Sequence, residues 1–202
     1  MNKGIPLIVS GPSGCGKDTL LRVLFEKYPQ VKFSISAVTR PKRGSDTEDG
    51  KYRFVTREQF EQMLRDDELL EHNEYVGNYY GTPRQPVSDA VNSGSDIVLE
   101  IDVNGAAQIR EKLPEAVSVF IMPPSMDSLR GRLTGRGTEA AEVVEQRLAQ
   151  AISEIGRAGE YDYIVINDDL QTAADEIYSI LTAEKAKYKN NKNFINEVLN
   201  NA

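Results

Sequence analysis

The segment that most constrains this chain is Gly11-Pro12-Ser13-Gly14-Cys15-Gly16-Lys17. It directly follows the apolar run Ile5-Pro6-Leu7-Ile8-Val9 and precedes Leu20, Leu21, Leu24, Phe25 and Tyr28, which recur at helical spacing. A strand, a glycine-rich turn and a helix in that order curl successive backbone N–H groups around one point, and the helix adds its positive pole there. The lysine closing the turn reaches the outer oxygens of a phosphate chain held in it. An accidental glycine-rich turn has neither flanking element, so the segment reads as a nucleotide phosphate loop. The next residue is Asp18, where such loops carry a Ser or Thr hydroxyl for Mg²⁺, and Thr19 follows. Asp18 is a hard oxygen ligand for Mg²⁺, directly or through water; equally, it is a favourable acid in a first helical turn, with Thr19 or water completing the metal shell.

Around this loop, short β-branched runs alternate with helical periodicity, the pattern of a parallel sheet covered on both faces by helices. Core strands are predicted at residues 5–9, 32–36, 97–101, 117–121 and 163–166. Val87, Ala90 and Val91 predict a helix with Thr82 as N-cap, Pro83 at the first helical position and Gly94 just past its end. Leu170, Ala174, Ile177 and Leu181 predict the last main helix, and the Lys/Asn-rich stretch 185–201 a frayed helical end.

Two stretches interrupt the alternation. Residues 38–81 carry a basic loop, a Tyr52-Arg53-Phe54-Val55 strand signal, a short helix and a Tyr/Gly hairpin signal, which together read as a small α+β insert. Residues 123–160 read as a helical, arginine-bearing lid. With 202 residues the chain suits one compact domain. The expected subregions are core 1–36, insert 37–82, core 83–124, lid 125–158, and core with C-terminal helix 159–202.

Composition narrows the function. Against 31 Asp plus Glu there are 24 Lys plus Arg, a net charge of −7, so a general nucleic-acid coat is disfavoured and anion binding must come from local clusters. One cysteine, Cys15, excludes an internal disulfide framework and a thiolate metal cage, and fits the cytoplasm. No apolar run approaches the roughly 20 residues that cross a bilayer.

The insert and the strand ends carry a further pattern. Ser34-Ile35-Ser36-Ala37-Val38-Thr39-Arg40, Arg43, Tyr52, Leu70-Glu71, Gly77-Asn78-Tyr79-Tyr80-Gly81-Thr82 and Leu99-Glu100-Ile101-Asp102-Val103-Asn104-Gly105-Ala106 closely resemble the guanylate kinase family. So do Pro123-Pro124-Ser125, Arg136-Gly137-Thr138 and Asn167-Asp168-Asp169. The resemblance runs in family order from about residue 5 to about residue 181. It implies a three-layer P-loop NTPase fold with a five-stranded parallel core sheet, a small GMP-binding insert and a helical lid. It also implies phosphotransfer from ATP to GMP with Mg²⁺ as cofactor, in purine nucleotide metabolism.

The chemistry of the matched residues agrees. Arg40 and Arg43 suit forked contacts with a phosphate monoester, and Tyr52 and Tyr80 add hydroxyl donors. Glu71 suits guanine, whose N1–H and N2–H offer two adjacent donors to one carboxylate, whereas adenine presents an acceptor at N1. By resemblance Ser36 and Thr82 donate on the O6 side. Glu100 and Asp102, two apart in an extended segment, share a face at the carboxyl edge of the sheet. The resemblance places them between the two nucleotides near the Mg²⁺ waters. It makes Arg132, Arg136 and Arg147 the lid arginines closing over the transferring phosphoryl group, with Arg147 also on the GMP side, and it puts Asn167 and Asp168 on the adenine side. Lys17, Arg40, Arg136 and Arg147 form the expected catalytic set. No strong base is needed, because the attacking group is already a phosphate oxygen.

Three positions depart from the family pattern: Asp18, Ser45-Asp46 in place of Gly-Glu, and Lys51 where an acid usually precedes the tyrosine. An Asp after the loop lysine is also similar to ribose bisphosphate phosphokinases, which leaves a sugar phosphate as an alternative acceptor. A non-catalytic phosphopeptide-binding relative is a second alternative. Such relatives lack the loop lysine and lid arginines, all of which this chain keeps.

Overall fold

The computed structural model describes residues 3–42, 50–134 and 141–201. In chain order these form β1 (Pro6–Ser10), α1 (Lys17–Lys27), β2 (Lys32–Phe33), β3 (Ser36–Val38), β4 (Tyr52–Phe54), α2 (Arg57–Arg65), β5 (Leu69–Tyr75), β6 (Asn78–Pro83) and α3 (Arg84–Asn92). The second half adds β7 (Ile97–Glu100), α4 (Val103–Lys112), β8 (Val117–Met122), α5 (Met126–Thr134), α6 (Ala141–Ile155), β9 (Tyr163–Ile166), α7 (Leu170–Ala186) and α8 (Tyr188–Asn200).

Five strands pair in the order β2-β7-β1-β8-β9, every pair parallel. The apolar alternation within these strands explains why helices cover both faces. Leu7, Val9 and Val119 point to one side, against Leu20, Leu21 and Leu24 of α1 and Ala174, Ile177 and Leu181 of α7. Ile8, Leu99 and Phe120 point to the other, against Val87 and Ala90 of α3 and Ala106 and Ile109 of α4. Parallel strands buried on both faces need such two-sided cover.

The second sheet has the order β4-β3-β6-β5 and its own small core of Ala37, Phe60, Met63 and Leu69. Its helix α2 starts with a capping box, in which Thr56 Oγ1 accepts from the Gln59 N–H and Gln59 Oε1 from the Thr56 N–H. Helices α5 and α6 bury Leu129, Leu133, Val144, Leu148 and Ala151 against each other, a fourth separate cluster. Among the described residues no helix is long and apolar enough to cross a membrane.

Three sequence expectations are corrected. The strand predicted at 32–36 is two strands in different sheets: β2 stays on the core, and the chain crosses at Ser34 and Ile35 to begin β3. Thr82 is not a helix N-cap, because β6 runs on through Pro83, which itself caps α3 from an extended conformation with φ −62 and ψ 131. The 185–201 stretch is not a frayed extension of α7; Lys187 breaks the helix with ψ 141 and α8 restarts at Tyr188.

Candidate active site

The phosphate loop is held open by neighbours far away in sequence. Gly16 has φ +92, and a Cβ there would meet Asn167 Nδ2 at 2.7 Å, so only glycine fits. That amide donates to the Cys15 carbonyl at 2.8 Å, and Arg132 Nη1 donates to the same carbonyl at 2.8 Å. Arg132 Nη2 donates in turn to the Asn167 carbonyl at 2.8 Å. Arg132 and Asn167 therefore fasten the outer turn of the loop through its Cys15 carbonyl. From α6, Arg147 Nη2 donates to Ser13 Oγ at 2.9 Å, and Glu154 Oε2 accepts from the Ser13 N–H at 3.2 Å. Lys17 Nζ donates to the Gly11 carbonyl at 2.6 Å and the Pro12 carbonyl at 3.3 Å, folded over its own loop. Cys15 is buried, and burial raises its thiol pKa despite the nearby Lys17, which keeps it an inert filler.

Facing this loop across a cleft, the second sheet presents Ser36 and Tyr52. Arg40 is buried, its guanidinium 5.0 Å from the Tyr52 ring and 5.5 Å from the Phe54 ring, and Nη1 donates to the Pro41 carbonyl at 3.1 Å. Tyr52 and Tyr80 stand edge to face, their centroids 6.4 Å apart. Burial raises the Tyr52 phenol, keeping it a neutral donor.

Glu71, on β5, is only 5% exposed, and its Oε1 accepts from Thr82 Oγ1 at 2.7 Å across the β5–β6 ladder. Burial pushes its carboxyl up to about 7, against the smaller opposing pull of the Thr82 hydrogen bond. The other carboxylate oxygen packs against Gly105: a Cβ at that glycine would lie 2.9 Å from Glu71 Oε2. Neither contact is predictable from the local pattern, although Thr82 and Gly105 both lie within the segments that carried the resemblance.

Three adjoining depressions share one residue. A cleft of about 1000 Å³ is lined by Ser13, Lys17, Ser36, Tyr52 and Arg147 among others; a pocket of about 220 Å³ holds Ser36, Tyr52, Glu71 and Tyr80; a third of about 510 Å³ runs along Gly14, Lys17, Thr19, Arg132, Asn167 and Asp168. Glu100, at the carboxyl end of β7, lines all three. Its two-residue neighbour Asp102 has a different duty: Oδ1 caps α4 by accepting from the Asn104 and Gly105 N–H groups at 2.9 and 2.8 Å, and Oδ2 accepts from Asn73 Nδ2 at 2.9 Å. Arg43 and Arg136 lie outside the described residues.

A phosphate loop between the central strand and its helix, opposed by a separate sheet bearing a buried arginine, two tyrosines and a buried carboxylate, is the architecture of a P-loop kinase. A sequence profile of the guanylate kinase family matches residues 3–184. The guanylate kinase of Desulfitobacterium hafniense is 46% identical over 188 residues, covering 93% of this chain and 94% of that protein. That of Halalkalibacterium halodurans is 48% identical over 185 residues, covering 92% and 91%. The crystal structure of guanylate kinase from Anaplasma phagocytophilum superimposes with a TM-score of 0.74 at 36% identity, covering 94% of this chain and 90% of that one. The chain belongs to the guanylate kinase family.

Proposed function

We infer that this protein is a guanylate kinase, transferring the γ-phosphoryl group of ATP to GMP to give ADP and GDP in purine nucleotide metabolism. The observation that carries the reading is Glu71: a buried carboxylate in a small pocket beside Tyr52 and Tyr80, on the wall opposite the phosphate loop. In this assignment residues 37–82 bind the acceptor, residues 125–158 are the lid, and the single thiol fits a cytoplasmic protein. Arg40, Arg43, Tyr52 and Tyr80 hold the GMP phosphate, while Ser36, Glu71 and Thr82 read the guanine. Thr82 acts largely through Glu71, since its hydroxyl already donates to that carboxylate. Lys17, Arg132, Arg136 and Arg147 face the triphosphate, and Asn167 and Asp168 the adenine side. Catalysis then rests on aligning an anionic acceptor oxygen with the γ-phosphorus, excluding water and neutralising charge on the equatorial oxygens.

Magnesium fits the donor chemistry of this cleft. Carboxylate oxygens of Asp18 and Glu100 converge on one Lys51 ammonium, at 2.8 and 3.3 Å, so hard anionic donors already gather where a cation sits. Mg²⁺ is commonly held by one or two carboxylates plus phosphate oxygens and waters. Asp18 and Glu100 would hold it through the carboxylate oxygens that Lys51 does not engage, with Thr19 adjoining; the Asp102 oxygens are engaged as a cap. Bound there, the ion supplies positive charge to the β- and γ-phosphates.

Two expected results follow from the Glu71 pocket. Guanine N1–H and N2–H need the ionised carboxylate, and Glu71 sits near 7, so kcat/KM for GMP should fall about tenfold per unit as pH drops below 7. Acceptor phosphate titration enters wild type and Glu71→Gln alike, so the difference between the two profiles isolates the carboxyl. Stability runs the opposite way: the folded chain holds this proton more tightly than the unfolded one. That contribution is complete below 4.5 and is lost as pH rises through about 7, which thermal melts will read. Gly105→Ala should push the carboxylate aside and raise KM for GMP about tenfold, leaving KM for ATP unchanged. Equal changes in both would place the effect in the fold. The reading as a whole is tested by ADP release with ATP and Mg²⁺ against GMP, AMP, UMP and ribose 1,5-bisphosphate: GMP alone should support rapid turnover. Turnover of the sugar phosphate without GMP would replace the acceptor.

A further inference from the structure

We propose that Lys51 is a positioning residue of this kinase, a strap that ties the acceptor-binding sheet to the phosphate-loop helix by bridging Asp18 and Glu100. The residue immediately precedes β4, and its carbonyl accepts from the Ser36 N–H at 3.2 Å, so its backbone belongs to the second sheet. Its side chain reaches the other way. Nζ donates to Asp18 Oδ1 at 2.8 Å on α1 and to Glu100 Oε2 at 3.3 Å on β7, and lies 5.7 Å from the Phe33 ring centroid on β2. All three partners stand on the core. The Glu100 half of the contact is sheltered, the Lys51 and Glu100 side chains being 25% and 17% exposed, whereas Asp18 is 75% exposed. Of the three positions where the sequence departs from the family pattern, two are thus in direct contact.

The electrostatics favour a strap over an incidental ion pair. One ammonium faces two carboxylates, a network in which the lysine is held by both and each acid is screened from the other. Removal of the ammonium leaves two facing carboxylates at the mouth of the cleft. These two acids must then share a proton or separate, and β4 loses its side-chain tie to the core. Glu100 lines all three adjoining pockets, so its displacement reaches the acceptor site without any lost contact to GMP.

The inference rests on the guanylate kinase reading for its kinetic arm only. Lys51→Met, which keeps an apolar stem, should raise KM for GMP about fivefold while kcat changes less than roughly twofold. In metal-free, nucleotide-free protein the same variant should speed amide exchange in β3 and β4 by about tenfold. Lys51→Arg should restore both. The decisive arm is the double variant: with the ammonium gone Asp18 is a liability, so Asp18→Ser added to Lys51→Met should recover part of the exchange protection and of KM. Unchanged exchange in Lys51→Met, or a further loss on adding Asp18→Ser, overturns the strap. A wild-type protein that does not phosphorylate GMP would instead sink the assigned activity, and the exchange arm would still decide the role of Lys51.

Discussion

Lys17→Met should lower kcat/KM for ATP-dependent phosphorylation of GMP by about 10³-fold. Lys17 is the first residue of α1, and its ammonium rests on the Gly11 and Pro12 carbonyls at 2.6 and 3.3 Å. In the proposed reading, a rotation of the stem would carry it from there onto the phosphate chain of ATP. Methionine retains the stem and removes the charge, so the loop, fastened by Arg132 and Asn167, keeps its shape. A loss of about 10³-fold corresponds to about 4 kcal/mol of transition-state stabilisation, in the range of a preorganised cation acting on charge that spreads over the equatorial oxygens. GMP binding measured by calorimetry should be unaffected. A drop smaller than about tenfold would remove Lys17 from the chemistry.

Glu71→Gln should reduce kcat/KM for GMP by about 10³-fold and alter KM for ATP by less than about twofold. The substitution preserves volume in a buried pocket, and the Thr82 hydroxyl, 2.7 Å from Oε1, keeps an acceptor. What changes is one oxygen of the fork. An amide NH₂ faces a guanine N–H, which replaces a charge-assisted hydrogen bond with opposed donors and leaves both desolvated. Discrimination against AMP should narrow by a similar factor, because adenine meets no such conflict. Steady-state kinetics with both acceptors reads this directly. Equal losses toward ATP and GMP would show that Glu71 supports the fold rather than selects the base.

Local chemistry was legible in the sequence wherever it is local in space. The phosphate loop announces itself because strand, turn and helix are contiguous and the glycines answer to backbone geometry. The parallel sheet was legible for the same reason, through β-branched runs buried on both faces. What went unread depends on contacts across the fold. Arg132 and Asn167 match the nucleotide side by resemblance, but their grip on the Cys15 carbonyl spans 117 and 152 residues and leaves no local trace. Lys51 reads in sequence only as a departure from the family pattern, because its partners Asp18 and Glu100 lie 33 and 49 residues away. Thr82-Pro83 is a good helix start on composition, yet pairing with β5 keeps both residues in a strand and turns the hydroxyl toward Glu71. The split of residues 32–36 between two sheets was hidden because both halves favour extended backbone; only the pairing partners differ.

The account requires that a phosphoryl group pass directly from the loop side of the cleft to a purine monoester held by the opposite sheet. Phosphorus NMR of the purified protein with ATP, Mg²⁺ and GMP follows that group from donor to acceptor. Loss of the ATP γ resonance should be matched by growth of the GDP β resonance, with no free phosphate formed. Consumption of ATP that yields only inorganic phosphate, or an unchanged spectrum, would contradict it.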